Sequence, residues 1–115
     1  MMGCKRGDIY MARLSADEDS GSLQEGMRPI LIISNDKANE HSPVITIVPL
    51  TSKLRKHRLP THVLINKCGL VKPSIVLAEL IMSLNKTRLE RKVGSIKENV
   101  YESQVDRAIK VQLNV

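Results

Sequence analysis

The stretch Arg28-Pro29-Ile30-Leu31-Ile32-Ile33 restricts the fold of this chain more than any other. Its aliphatic run has neither the spacing of a helical stripe nor the alternation of a half-exposed strand. So short a run, opened by a proline, reads as a strand buried on both faces. Asp8–Leu14, Val44–Val48, Thr61–Ile65 and Ser74–Leu80 are further strand candidates. Pro73 cannot donate to a ladder and belongs at a strand start or an edge. Between the first two strands, residues 15–22 are polar and acidic without periodicity. Asn35 can cap a brief helix over Asp36–Asn39, and Asn85 a single turn over Lys86–Arg88. Near the end the period changes. Ser95 and Glu98 have the spacing of a capping box, and Tyr101, Val105, Ala108, Ile109 and Leu113 recur near helical spacing. About five short strands and one amphipathic C-terminal helix point to a mainly β fold, a small and strongly bent barrel with the helix packed on it. At 115 residues, without repeat or linker, the chain forms one domain over residues 1–115.

Eighteen Lys and Arg against twelve Asp and Glu leave a net charge of +6, which fits an anionic partner such as nucleic acid or a plain solvated basic surface. The basic residues are spread along the chain, so any patch must be assembled by folding. Two Tyr, no Phe and no Trp leave too few aromatic side chains for a base-stacking platform. A nucleic acid would have to be held by phosphate contacts, guanidinium planes and backbone groups. Cys4 and Cys68 form no CxxC or Cys–His pair at ligand spacing, which argues against a zinc site and a disulfide framework. Reduced thiols in the cytoplasm are the simplest account. The first six residues lack the apolar run of a signal peptide, and no segment is long enough to span a bilayer.

No HExxH, P-loop, GxSxG or GxGxxG motif is present. His41, His57 and His62 do not pair by spacing, so a two-histidine acid–base site is not supported. His62 sits in a strand candidate and reads as structural. Three places can carry chemistry. In residues 21–29, Ser22, Gln24 and Glu25 precede a strand opened by Arg28, whose planar fork of donors suits a phosphate. An ordinary loop with a surface arginine fits the same residues. Thr51 and Ser52 leave the third strand together. Such hydroxyls commonly bond to backbone in a turn, and they can also donate to a phosphate oxygen or a developing oxyanion. Lys53-Leu54-Arg55-Lys56-His57-Arg58 follows directly. Most charge runs are only solvated, yet this one continues the hydroxyl pair.

Together these segments resemble the MazF/PemK/Kid family of toxin endoribonucleases from about Lys5 to Leu113. The resemblance rests on Lys5-Arg6-Gly7-Asp8-Ile9-Tyr10, Gly26-Met27-Arg28-Pro29 with the strand behind it, and Leu50-Thr51-Ser52. It continues through Leu59-Pro60-Thr61-His62-Val63, Val76-Leu77-Ala78-Glu79-Leu80 and Lys86-Thr87-Arg88-Leu89. It implies an SH3-like barrel with a C-terminal helix, acting as a homodimer in the cytoplasm. It also implies sequence-specific cleavage of single-stranded mRNA without metal or cofactor, which inhibits translation and growth. The cognate antitoxin would place an acidic, disordered tail in the RNA groove. Arg28 and Thr51 correspond to the family's catalytic arginine and threonine. Ser22, Gln24, Ser52, Lys53, Arg55, Lys56, His57, Arg58 and Glu79 correspond to its RNA contacts.

The implied chemistry is attack of the RNA's own 2′-hydroxyl on the adjacent phosphorus, leaving a 2′,3′-cyclic phosphate and a 5′-hydroxyl end. Arg28 would stabilise the phosphorane charge and Thr51 would donate to a non-bridging oxygen. Because guanidinium keeps its proton in proteins, the acid and base are not assigned. The sequence departs from the family pattern in a longer, more acidic segment 15–20. Leu23 also stands where many relatives carry glutamate, and Leu80 where some carry glutamine. A non-enzymatic inhibitor of the gyrase-poisoning CcdB kind shares the scaffold but ends on an aromatic tail, whereas this chain ends Gln112-Leu113-Asn114-Val115. A catalytically silent RNA-binding barrel is the third reading, and retention of Arg28 with Thr51 weighs against it.

Overall fold

Alternation along the second strand divides the interior in two. In the computed structural model, which describes residues 3–14, 26–54 and 59–115, strand β2 (Gly26–Ile32) follows β1 (Asp8–Leu14). Leu31 and the following Ile33 enter one core with Ile9, Val48, Leu50, Ile65 and Val76. Ile30 and Ile32 enter a second core with Tyr10, Ala12, Leu14, Ile45 and Ile47. All four residues of the run are buried, as a two-sided strand requires.

The remaining elements are α1 (Asp36–His41), β3 (Val44–Thr51), β4 (His62–Ile65), β5 (Ser74–Leu77), β6 (Met82–Asn85), β7 (Leu89–Ser95) and α2 (Tyr101–Leu113). The antiparallel ladder runs β4-β5-β3-β2-β1-β7, with β6 beside β3. One edge of β3 serves two partners: its start pairs with β6 and its end with β5, through Leu50↔Val76 and Thr51↔Ile75. This shared strand bends the sheet around the first core. Among the described residues no ladder joins β4 to β7, so the expected barrel is open at that seam. A close backbone crossing lies there instead. A Cβ on Gly69 would lie 2.1 Å from the Val93 carbonyl oxygen, and one on Gly94 would lie 1.8 Å from that of Cys68. Only glycine at both positions lets the Cys68-Gly69 turn rest on β7.

Helix α2 packs Val105 and Ala108 into the first core, with Tyr101 and Ile109 beside them. The Asn66 amide donates to the Tyr101 hydroxyl at 3.1 Å, tying the helix start to the end of β4.

Several sequence expectations are corrected. There are seven strands, not about five, because β6 and β7 were not anticipated. The strand expected over Ser74–Leu80 stops at Leu77 and gives way to a 3-10 turn, Ala78–Leu80. Ser95 and Glu98 form no capping box. Ser95 ends β7 and accepts the Lys97 amide, while the Glu98 amide donates forward to Glu102 ahead of a helix that starts at Tyr101. Leu113, placed on the helix's apolar stripe, is half exposed. The caps at Asn35 and Asn85 form as expected, accepting from the Ala38 and Thr87 amides.

Candidate active site

Strand pairing leaves the two principal candidates at the same end of adjacent strands, each two residues beyond the last rung. The β2–β3 register is Ile30↔Pro49, Leu31↔Val48 and Ile32↔Ile47. Continued by two residues, it sets Arg28 level with Thr51, and residues directly opposite in an antiparallel pair share a face. Arg28 alternates with Ile30 and Ile32, so that face is the one belonging to the second core.

Arg28 itself is half-buried. Its Nε lies buried without a hydrogen-bond partner, and among the described residues no other buried side-chain nitrogen or oxygen is left so. An unsatisfied buried donor costs about 1–3 kcal/mol. Thr51 is buried, and its Oγ1 accepts the Lys53 amide at 3.1 Å. This is the turn use expected of a hydroxyl leaving a strand. It orients Thr51 where β3 hands over to the basic segment. Ser52 and Lys53 are exposed just beyond it. Ser22, Gln24, Arg55, Lys56, His57 and Arg58 lie outside the described residues.

Glu79 sits on the 3-10 turn after β5 and is held from within. Thr61 Oγ1 donates to its Oε1 at 2.8 Å, and its Oε2 lies 2.7 Å from His62 Nε2. His62 Nδ1 accepts the Leu59 amide at 3.2 Å, which leaves the ring proton on Nε2, facing the carboxylate. Burial would raise the pKa of Glu79, but the hydrogen bonds from His62, its own backbone and Thr61 outweigh it. The net shift is downward. His62 thus opens β4, as the sequence placed it in a strand, and both of its ring nitrogens are engaged within the fold. An RNA contact by Glu79 would have to share oxygens already engaged. Thr61 was not singled out from sequence, since its partner lies 18 positions away and no local spacing marks the pair.

Among the described residues no three His, Cys, Asp or Glu side chains are grouped to hold a metal ion. No described helix is long and apolar enough to cross a membrane.

Comparison with known proteins adds to this geometry. The profile of the PemK-like, MazF-like toxins of type II toxin–antitoxin systems matches residues 5–113. A mycobacterial endoribonuclease solved in complex with its cognate antitoxin is 24% identical, with TM-score 0.79 over 97% of this chain and 96% of that one. The Mycobacterium tuberculosis toxin MazF-mt6 is 25% identical, with TM-score 0.76 over 94% and 97%. MazF from Deinococcus radiodurans is 20% identical, with TM-score 0.79 and complete coverage of both chains.

Proposed function

The chain belongs to the PemK-like, MazF-like toxins of type II toxin–antitoxin systems, and from that membership we propose that it cleaves single-stranded mRNA endonucleolytically without a metal ion. The observation that carries this reading is the orphaned Nε of Arg28, and the β2–β3 register, if continued two residues past its last rung, supports a shared face with Thr51. A guanidinium held with a desolvated donor and no internal acceptor is prepared for an anionic one, and the scissile phosphate supplies it.

In this reading the RNA provides the nucleophile. Its 2′-oxygen loses a proton and bonds to the neighbouring phosphorus. The bond from phosphorus to the 5′-oxygen breaks, and that oxygen takes up a proton. The products are a 2′,3′-cyclic phosphate and a 5′-hydroxyl. Arg28 and Thr51 act on the charge that grows on the non-bridging oxygens, so they bind the transition state more tightly than the ground state. Ser52, Lys53, Arg55, Lys56, His57 and Arg58 would follow the RNA backbone beyond Thr51, with Ser22, Gln24 and Glu79 as further contacts. The active species is a homodimer in the cytoplasm, restrained by an antitoxin whose acidic tail competes for the same groove.

Incubating the purified protein with a long single-stranded RNA in EDTA tests this. Discrete fragments ending in cyclic phosphate are expected. Intact RNA, or fragments ending in 5′-phosphate, would overturn the reading.

A further inference from the structure

The basic run Lys53-Leu54-Arg55-Lys56-His57-Arg58 follows the end of β3, and the chain rejoins the sheet at β4. At each junction a side chain accepts a backbone amide. Thr51 Oγ1 takes the Lys53 amide at 3.1 Å, and His62 Nδ1 takes the Leu59 amide at 3.2 Å. The second junction is closed in both directions, because the His62 amide donates back to the Leu59 carbonyl at 2.9 Å. Behind it the His62 side chain is 4% exposed, and Glu79 Oε2 stands 2.7 Å from its Nε2. A neutral imidazole has one donor nitrogen and one acceptor nitrogen. With the proton on Nε2, facing the carboxylate, Nδ1 is left as the acceptor that the Leu59 amide needs. Glu79 is fixed in turn by Thr61 Oγ1 at 2.8 Å, and the Thr61 carbonyl accepts the Ala78 amide at 3.1 Å. The contacts therefore run without a break from Leu59 to the turn after β5.

We propose that His62 is a positioning residue for RNA binding: it seats the end of the basic run, as Thr51 seats its start, and Glu79 sets the tautomer that lets it do so. The proposal rests on the nuclease reading above, in which that run follows the RNA backbone. Ordering a segment on binding costs conformational entropy, and a segment fixed at both ends has less to lose. The gain cannot exceed the worth of the hydrogen bond that supplies it, about five-fold in affinity. Arg28 and Thr51 are carried by β2 and β3, so turnover of bound RNA does not depend on His62.

Two substitutions separate the ring nitrogens. His62→Asn places an amide oxygen near the position of Nδ1 and stops short of Nε2, whereas His62→Gln reaches Nε2 and offers no acceptor at Nδ1. The full chain and both variants are titrated against a fluorescein-labelled, non-cleavable 2′-O-methyl RNA over a range of salt, and cleavage of the unmodified RNA is followed beside it. His62→Gln is expected to bind about five-fold more weakly, with a salt slope lower by about 0.7, the share of one phosphate on a single strand. Its KM should rise while kcat stays at the parent value. His62→Asn should bind as the parent does. Nitrogen NMR of the parent should show the His62 ring proton on Nε2. Urea unfolding of both variants supplies the control, because a histidine that only supports the fold would make RNA affinity follow stability. The proposal is overturned if the variants weaken binding equally, if neither weakens it, or if affinity follows stability. It is also overturned if His62→Gln lowers kcat instead of raising KM, or if the ring proton lies on Nδ1. A parent chain that leaves RNA uncut overturns the nuclease reading and this proposal with it, whereas an active parent with indistinguishable variants overturns the proposal alone.

Discussion

Replacing Arg28 by methionine should make the protein more stable and much less active. The buried Nε has no acceptor, and such a donor costs about 1–3 kcal/mol. Arg28 is only half-buried, which places the relief on substitution near the lower limit, about 1 kcal/mol. Methionine keeps an unbranched apolar stem of similar reach, so the packing that the arginine stem gives to β2 is largely retained. For a domain of this size, 1 kcal/mol raises Tm by roughly 4 °C. In the proposed reaction the variant lacks the donors aimed at the phosphorane, and removal of even one such donor lowers turnover by about 10²–10³-fold. Calorimetry of parent and variant, with cleavage of one RNA at several enzyme concentrations, reads both quantities. A variant destabilised by more than about 1 kcal/mol would show that the guanidinium supports the fold and is not strained within it. Cleavage within ten-fold of the parent would remove Arg28 from the chemistry.

Two other perturbations have determinate outcomes. Gly94→Ala drives a Cβ to within 1.8 Å of the Cys68 carbonyl oxygen and should cost about 3 kcal/mol in urea unfolding. Gly3→Ala, with nothing within 4 Å, serves as the silent comparison; equal midpoints would mean that the crossing yields freely. Glu79 has its folded-state pKa held below the ordinary 4.5. Its stabilising effect is therefore complete above that value and is lost as pH falls through the lower folded-state value. The stability gap between the parent and Glu79→Gln should narrow between about pH 6 and pH 3, and a gap that stays constant would dissociate it from the His62–Thr61 contacts.

The sequence disclosed those parts of the fold whose cause is local. Asp8–Leu14 is a strand with the anticipated bounds. Asn35 and Asn85 cap as their side-chain chemistry dictates. The buried run after Arg28 is buried because aliphatic side chains face a core on each side. Strand β7 escaped notice because it ends the ladder. Glu90, Arg91 and Lys92 are exposed there, so no apolar alternation marks it. Strand β6 does alternate, Met82 and Leu84 inward with Ser83 and Asn85 outward, but four residues give a weak periodic signal. At the site, the residue types of Arg28 and Thr51 were visible, and their shared face follows from a register that no local pattern encodes. The contacts among Thr61, His62 and Glu79 join the start of β4 to the turn after β5 across a connection of other residues, and spacing alone could not reveal them.

The two-core strand has a consequence for how such a chain can vary. Arg28 is held on its face by six rungs to β1 and by the rungs from Ile30 to Ile32 on β3. A slip of one position would exchange Ile30 and Ile32 for Leu31 and Ile33 between the two cores, and would turn the guanidinium to the other side. Residues can therefore be added to or removed from the segment joining Leu14 to Gly26 without moving Arg28. That segment is thus free to diverge in length and charge while Arg28 keeps its place.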